Sequence, residues 1–395
     1  MTVGRALLKT LIHAAAMMTL AIGLAVSVPL CATATPVPRL DTGDAPAALL
    51  AFDISPDGRY LVFSQQFPPP RQGANPVYHL HIFDLHTLVM RTLATNAAGS
   101  TRIRFETNDR FAFLRTGTAG VSLMDVSGTE LHRFPEGEYH SFCNGVRFMG
   151  SGSQVDLLTP AHEPIRTVSG KGGFEDAVCS ADRLLLIFKQ EAQLRDLRTQ
   201  EPICSIPALR GSITSYTQGA LLGGNRLALL DHWSGVSLFD ACKQTQTLTA
   251  STMVMASGPH LFLGHAGVMG AGRNQGPHTR ETGIREYDPN GRHLGDIPYP
   301  DSIRQMRFVA ERPDILVLLS QEGTIRFLNV RTGRGLTLTI RREPGHWLLA
   351  GDDGAYHASP GSAPYLYFTQ GTRIIPAGPP AASRNLYRNF IGAHP

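Results

Sequence analysis

Leu49-Leu50-Ala51-Phe52-Asp53-Ile54, Ser55-Pro56-Asp57-Gly58 and Arg59-Tyr60-Leu61-Val62-Phe63 together decide the fold. Two short apolar runs flank a four-residue turn, in which Pro at the second position presets φ and Gly at the fourth suits type I geometry. Beyond a loop, Tyr78-His79-Leu80-His81-Ile82-Phe83 alternates as a strand does. Asp84-Leu85-His86-Thr87 then turns into a last strand over 88–93, making four short strands in a row.

The third-strand ending recurs down the chain. It reads Phe83-Asp84-Leu85, Met124-Asp125-Val126, Arg195-Asp196-Leu197, Phe239-Asp240-Ala241, Tyr287-Asp288-Pro289 and Leu328-Asn329-Val330. The intervals are 41, 71, 44, 48 and 41 residues, and a degenerate unit over 142–168 splits the longest. Six intervals of about 41 residues match the period of a four-stranded blade. A lone blade cannot bury its two apolar faces, whereas radial stacking covers both and leaves only short edges. The expectation is an all-β, seven-bladed β-propeller of four-stranded antiparallel blades over 48–341, with eight blades as the alternative. Asp84, Asp125, Asp196, Asp240 and Asp288 are expected to be structural, their carboxylates bonding backbone amides in the turns. Residues 342–378 are expected to form a terminal cap, in which the strand-like stretches 365–368 and 372–375 seal the ring by pairing with the N-terminal strands, or else a reduced eighth blade. Residues 379–395 read as a flexible tail.

Ile54-Ser55-Pro56-Asp57-Gly58-Arg59-Tyr60-Leu61 resembles the SPDG signature of WD40-like propeller repeats, and the turn aspartates resemble the second half of the WD dipeptide. Asp352-Asp353-Gly354-Ala355-Tyr356-His357-Ala358-Ser359-Pro360, after Trp347, is similar to a tail that follows the repeats in some bacterial WD40 proteins. A looser resemblance is to exported propellers of the quinoprotein amine dehydrogenase-like superfamily. Both resemblances imply the fold, and they span roles from scaffold to enzyme.

Composition agrees with a turn-rich β protein: 40 Gly, 27 Pro and 17% charged residues, against about 25% charged in an average globular chain. A net charge of +4 without a basic stripe excludes a nucleic-acid partner as the expectation. Arg5 and Lys9 precede an apolar run from Leu11 to Leu30 and then Ala32-Thr33-Ala34, which fits a signal peptide over 1–34. The same run, left uncleaved, is long enough to anchor in a bilayer. Cleavage after Ala34 removes 34 of 395 residues, with Arg5 and Lys9, and takes the charge from +4 to +2. A linker over 35–47 follows, and the mature chain is expected in a bacterial periplasm or secreted, without a membrane span. Cys143, Cys179, Cys204 and Cys242 then remain, enough for two disulfides in an oxidising compartment. Cys143 with Cys179, about one repeat apart, ranks first; buried free thiols are the other reading.

Loops between second and third strands emerge on one face of such a ring. Two are long: 65–77, with Pro68-Pro69-Pro70-Arg71, and 264–283, with six glycines, His265, Arg273, His278 and Arg280. Units six and one both flank unit seven, so this sector is a candidate binding face. Arg71, Arg273 and Arg280 there favour an acidic or carboxylate-bearing partner; solvated loops without a role are the competing reading. His79 and His81 share a strand face, and His260 opens the sixth unit's long loop. No H-E-x-x-H, C-x-x-C, P-loop or G-x-S-x-G pattern occurs. Gly270-Ala271-Gly272-Arg273-Asn274-Gln275-Gly276 misses the dinucleotide spacing by one residue. The expectation is therefore a non-enzymatic binding or scaffold module for a protein or peptide of the cell envelope, with no catalytic residue, metal or cofactor. The alternative is a propeller enzyme or cofactor-associated subunit.

Overall fold

The computed structural model describes residues 36–42, 48–67, 76–95, 102–115, 120–135, 139–208, 216–231, 235–248, 251–265, 283–299, 301–343, 345–370, 373–376 and 385–392. Six sheets have four antiparallel strands each, over 48–95, 103–134, 139–169, 174–207, 216–247 and 253–297; a seventh, over 303–358, has six. The innermost strands are Ala48–Ile54, Ile103–Thr107, Tyr139–Cys143, Phe174–Cys179, Tyr216–Gly223, Met253–Ser257 and Ile303–Val309. Each packs on the next, and the seventh packs on the first. The ring closes at seven blades.

Burial follows radius, and radius explains the sequence. Second and third strands have neighbours on both faces, so they read as continuous apolar runs: Arg183–Phe188 is buried from its second residue on, and Gly235–Asp240 up to its last. Fourth strands form the rim, and Lys243–Thr247 is exposed throughout. The opening motif folds as its residues dictate. The Gly58 amide donates to the Ser55 carbonyl (2.8 Å), the Ser55 hydroxyl to Asp57 Oδ1 (2.6 Å), and the Tyr60 amide to Ser55 Oγ (2.8 Å). Gly58 sits at φ +77°, where a side chain is strained.

The first-to-second-strand turns of successive blades bond one another around one face. The Glu311 amide donates to the Pro56 carbonyl, Asp57 N to Asn108 Oδ1, Asn144 Nδ2 to the Ser180 carbonyl and Arg183 Nε to Asn225 Oδ1. All blades therefore point the same way, and the second-to-third-strand connections share the opposite face.

The closure takes the capped form, with two differences in the segments that flank the blades. Trp347–Gly351 and Tyr356–Ala358 widen the seventh blade instead of founding an eighth. Leu366–Gln370 pairs antiparallel with Val37–Leu40, Val37 facing Thr369 and Leu40 facing Leu366, and Arg373–Pro376 adds a third strand. Part of the segment read as a linker is thus a strand. Within the stretch read as a flexible tail, Leu386–Gly392 is a helix whose Tyr387 is fully buried between blades seven and one. Its apolar face (Leu386, Tyr387, Phe390, Ile391) supplies the reason: the seam between first and last blades needs a cover.

Candidate binding channel

The seven innermost strands enclose a central channel of about 1200 Å³. Adjacent inner strands splay too far apart to form a backbone ladder, so side chains bridge them. Asp53 Oδ2 accepts from the Phe105 amide (2.7 Å), Gln305 exchanges bonds with Phe52 N and O (3.1 and 2.7 Å), and Gln218 Oε1 accepts from Val254 N (3.3 Å). Burial pushes the Asp53 carboxyl upward, opposed by Arg104, Arg307 and the Phe105 amide. These polar residues hold blades together.

Four arginines line the wall formed by blades seven, one and two: Arg304 and Arg307 from blade seven, Arg102 and Arg104 from blade two. Arg307 Nε lies 3.6 Å from Asp53 Oδ1, and Arg304 Nη1 donates to the Leu49 carbonyl (2.6 Å). Arg102 reaches past blade three to the Glu175 carbonyl (3.1 Å) and carboxylate (3.8 Å) on blade four. Glu175 and Asp176 lie on that far wall, so the channel is electrically lopsided. Arg102, Arg304 and Glu175 stand at the strand entries. They share that end with Phe67, Val77 and Gly283, which bound the two long loops. Sequence reading missed these arginines; the signal available was the alternation Arg102-Ile103-Arg104 opening a strand, with Arg304 and Arg307 at the matching place of the seventh unit.

Of the residues singled out from sequence, Arg71, Arg273, His278 and Arg280 lie outside the described residues. His265 ends its strand opposite Gly283. Asp84 Oδ1 accepts from the amides of His86 (2.9 Å) and Thr87 (3.2 Å), Asp125 from Ser127 and Thr129 (2.9 Å each), and Asp196 from Arg198 (3.0 Å) and Thr199 (2.8 Å). Asp288 accepts from Asn290 (2.8 Å) and Arg292 (2.9 Å), and Asn329 from Arg331 and Thr332 (3.0 Å each). Asp240 departs from the pattern. Ala241 and Cys242 make its turn with left-handed φ of 45° and 64°, and its carboxylate faces Arg226 at 3.6 Å. In the degenerate third unit Thr159 holds the position, its hydroxyl accepting from the Glu163 amide (3.1 Å).

His79 and His81 do share a face, with rings 5.8 Å apart, packed on Phe67 and Phe63. Burial, and then His79, push His81 down to about 4. His260 Nδ1 lies 2.6 Å from Glu286 Oε1. Among the described residues, no group of three His, Cys, Asp or Glu is placed to hold a metal.

The cysteines stand in two pairs at disulfide distance: Cys143 with Cys179 and Cys204 with Cys242, each with Cα atoms 6.3 Å apart. The first joins the ends of the inner strands of blades three and four; the second joins the rim of blade four to the turn of blade five. In protein purified from an oxidising compartment, Cys143, Cys179, Cys204 and Cys242 should show no free thiol on denaturation without reductant. Reduction should then lower its unfolding free energy by about 2–4 kcal/mol per bridge. Four free thiols would refute the pairing.

Together these features define an antiparallel seven-bladed β-propeller whose central channel has a mixed lining with four arginines on one wall. No protein-family model matches the chain, and no curated protein does. Among solved structures it is similar to U3-55K (TM-score 0.50, 11% identity, covering 72% of this chain and 91% of that one) and to the WD40 repeats of RRP9 (TM-score 0.50, 11% identity, 72% and 91%). It is also similar to BamB from Moraxella catarrhalis (TM-score 0.50, 12% identity, 70% and 81%). At this identity the likeness establishes the fold.

Proposed function

We propose that the chain is an exported bacterial propeller of the SPDG type, without catalytic activity, that captures a protein or peptide partner of the cell envelope. The channel mouth, on the face where the long loops leave the blades, is the docking point. The observation that carries this reading is the convergence of Arg102, Arg104, Arg304 and Arg307, from two blades, on one wall of that channel. Guanidinium groups present planar pairs of donors suited to carboxylates, and a partly enclosed wall strengthens them. An acidic or carboxylate-bearing segment is therefore the partner group, with Glu175 and Asp176 on the far wall setting its orientation. Export is supported by the leader-like residues 1–34 and by the two cysteine pairs.

The test is capture from the chain's own envelope fraction by the mature protein, compared with the double variant Arg104→Gln/Arg304→Gln. The wild type should retain a discrete partner, and the variant, with an unchanged far-UV spectrum, should lose at least about nine-tenths of it, since hydrogen bonds to charged groups contribute about 1.5–3 kcal/mol each. Equal capture by both proteins would remove the channel mouth from the reading.

A further inference from the structure

A second cavity lies on the flank of the disc, away from the channel. It is a groove of about 370 Å³ between blades three and four, lined by Arg166 and Val168 on one side and by Glu191, Gln193, Arg195 and Ser205 on the other. Glu191, Gln193 and Arg195 alternate along one strand, so all three face blade three. A relay of hydrogen bonds runs along this floor. Gln193 Nε2 donates to Glu191 Oε1 (2.8 Å), and Arg195 Nη1 donates to Gln193 Oε1 (2.9 Å). Glu191 is well satisfied, accepting also from the Lys171 amide (3.0 Å) and the Ser205 hydroxyl (3.1 Å).

Arg195 is the anomaly. It is 5% exposed, and its bonds at the groove go to neutral oxygens, Gln193 Oε1 and the Gln200 carbonyl (2.9 Å). Among the described residues no carboxylate lies within ion-pair distance of it. A buried charge with no counter-charge in contact is costly. Burial, and then the nearby Arg166, lower the Arg195 pKa, and the Glu201 carboxylate opposes them from beyond contact distance. Arg166, which shares the groove, bonds Glu201 at 2.9 Å, but their side chains are 40% and 65% exposed. A surface pair of that kind is worth at most about 1 kcal/mol, so a ligand can compete for Arg166. Glu191, the nearest acid on the floor, is four residues along the strand from Arg195, about 13 Å at strand spacing.

We propose that this groove is an oxyanion-binding site in which Arg195 and Arg166 together grip a carboxylate or phosphate group. The buried guanidinium supplies a fixed fork and the exposed one closes over the anion. The site is separate from the channel and stands whether or not the channel captures a partner.

The mature protein is titrated calorimetrically with sodium phosphate and, in a second arm, with glutarate, each against sodium chloride at matched ionic strength. The titrations are read in the Arg104→Gln/Arg304→Gln background, which takes the channel out of play; the expected result there is saturable binding of at least one oxyanion, weakened about tenfold or more by adding Arg166→Gln. Response to phosphate alone assigns the site to phosphate groups, and response to glutarate assigns it to carboxylates. Arg166→Gln alters a half-exposed side chain and should fold; Arg195→Gln, checked by far-UV spectrum, should abolish binding. No saturable response to either anion, or binding that survives Arg166→Gln, overturns the proposal. Arg195 would then be only a clamp on the left-handed turn at Gln200, whose φ is 62°.

Discussion

Replacing Tyr387 by Ala should lower the unfolding free energy by about 3–5 kcal/mol, the range for truncating a large buried aromatic. The ring is fully buried among Val309, Phe327, Trp347 and Phe83, in the cluster that joins blades seven and one. It meets Phe327 edge-on with centroids 5.1 Å apart. Its hydroxyl donates to the Gly58 carbonyl (2.7 Å), and Asn385 Nδ2 donates to the carbonyls of Leu85 and His86. The helix thus bonds the opening turn of the first blade while its side chains fill the last. Natural domains have about 5–15 kcal/mol in hand, so this one ring is a large fraction of the whole. Tyr387→Phe should cost only about 1 kcal/mol, the worth of one neutral hydrogen bond. Urea unfolding of the full chain measures both. A loss under about 1 kcal/mol for the Ala variant would mean that the ring holds without this helix.

Arg147→Ala should be comparably damaging, at about 3–5 kcal/mol, because it strands a buried carboxylate. Arg147 Nε and Nη2 donate to Glu106 Oε1 and Oε2 (2.7 and 2.8 Å), and His140 Nε2 lies 2.7 Å from Oε1. All three side chains are at most 4% exposed, at the seam between blades two and three. His162 contacts Arg147 on its other side and stacks on His132 at 4.1 Å. Converting both partners, Glu106→Leu with Arg147→Met, should restore most of the loss, since an apolar pair of similar size needs no counter-charge. A double variant as unstable as Arg147→Ala would show that the seam needs the charges themselves.

The same cluster sets an acid limit. Burial would raise the Glu106 carboxyl, but the bonds from Arg147 and His140 prevail and hold it down to about 2, against 4.5 when free. Burial holds the His140 pKa below 6.5, although Glu106 opposes the shift. Both depressed values act in one direction. The histidine's neutral, buried form begins to cost stability as pH falls below 6.5, and the carboxylate's contribution is complete above 4.5 and drains away towards 2. Stability should therefore fall in two stages on acidification. Glu106→Gln should be less stable at neutral pH and lose less in the second stage, the part that remains coming from other depressed carboxylates such as Asp84 and Glu130. A wild type with flat stability from pH 7 to pH 3 would contradict this account.

The blades were legible because each third strand ends in a residue that wants a turn. Asp84, Asp125, Asp196, Asp288 and Asn329 all bind the amides that the repeat led one to expect. The third unit hid because Thr159 does the same work with a hydroxyl. Closure was harder to read. That the strands after 365 would pair with the N-terminal ones was legible as an option, but the register that sets Val37 against Thr369 across 332 residues was not. The terminal helix did carry a signal in the spacing of Leu386, Tyr387, Phe390 and Ile391, obscured by the Pro-rich and polar residues around it. Charged residues were least legible. Arg195, Arg147 and Glu106 look in sequence like any rim charge, and only the arrival of a neighbouring blade takes them out of water. The channel arginines form no stripe in the sequence because inner strands of different blades meet only in the closed ring.

The Tyr387 seam has a consequence for how the chain is made. A polypeptide emerges from the ribosome, or through a translocation pore, amino end first. Blade one therefore presents Phe52, Phe63 and Phe83 to water while some three hundred further residues are still arriving. The piece that finally shuts the circle is among the last to appear. Until Leu386–Gly392 arrives, the seam between the first and last blades of the nascent protein lacks its cover.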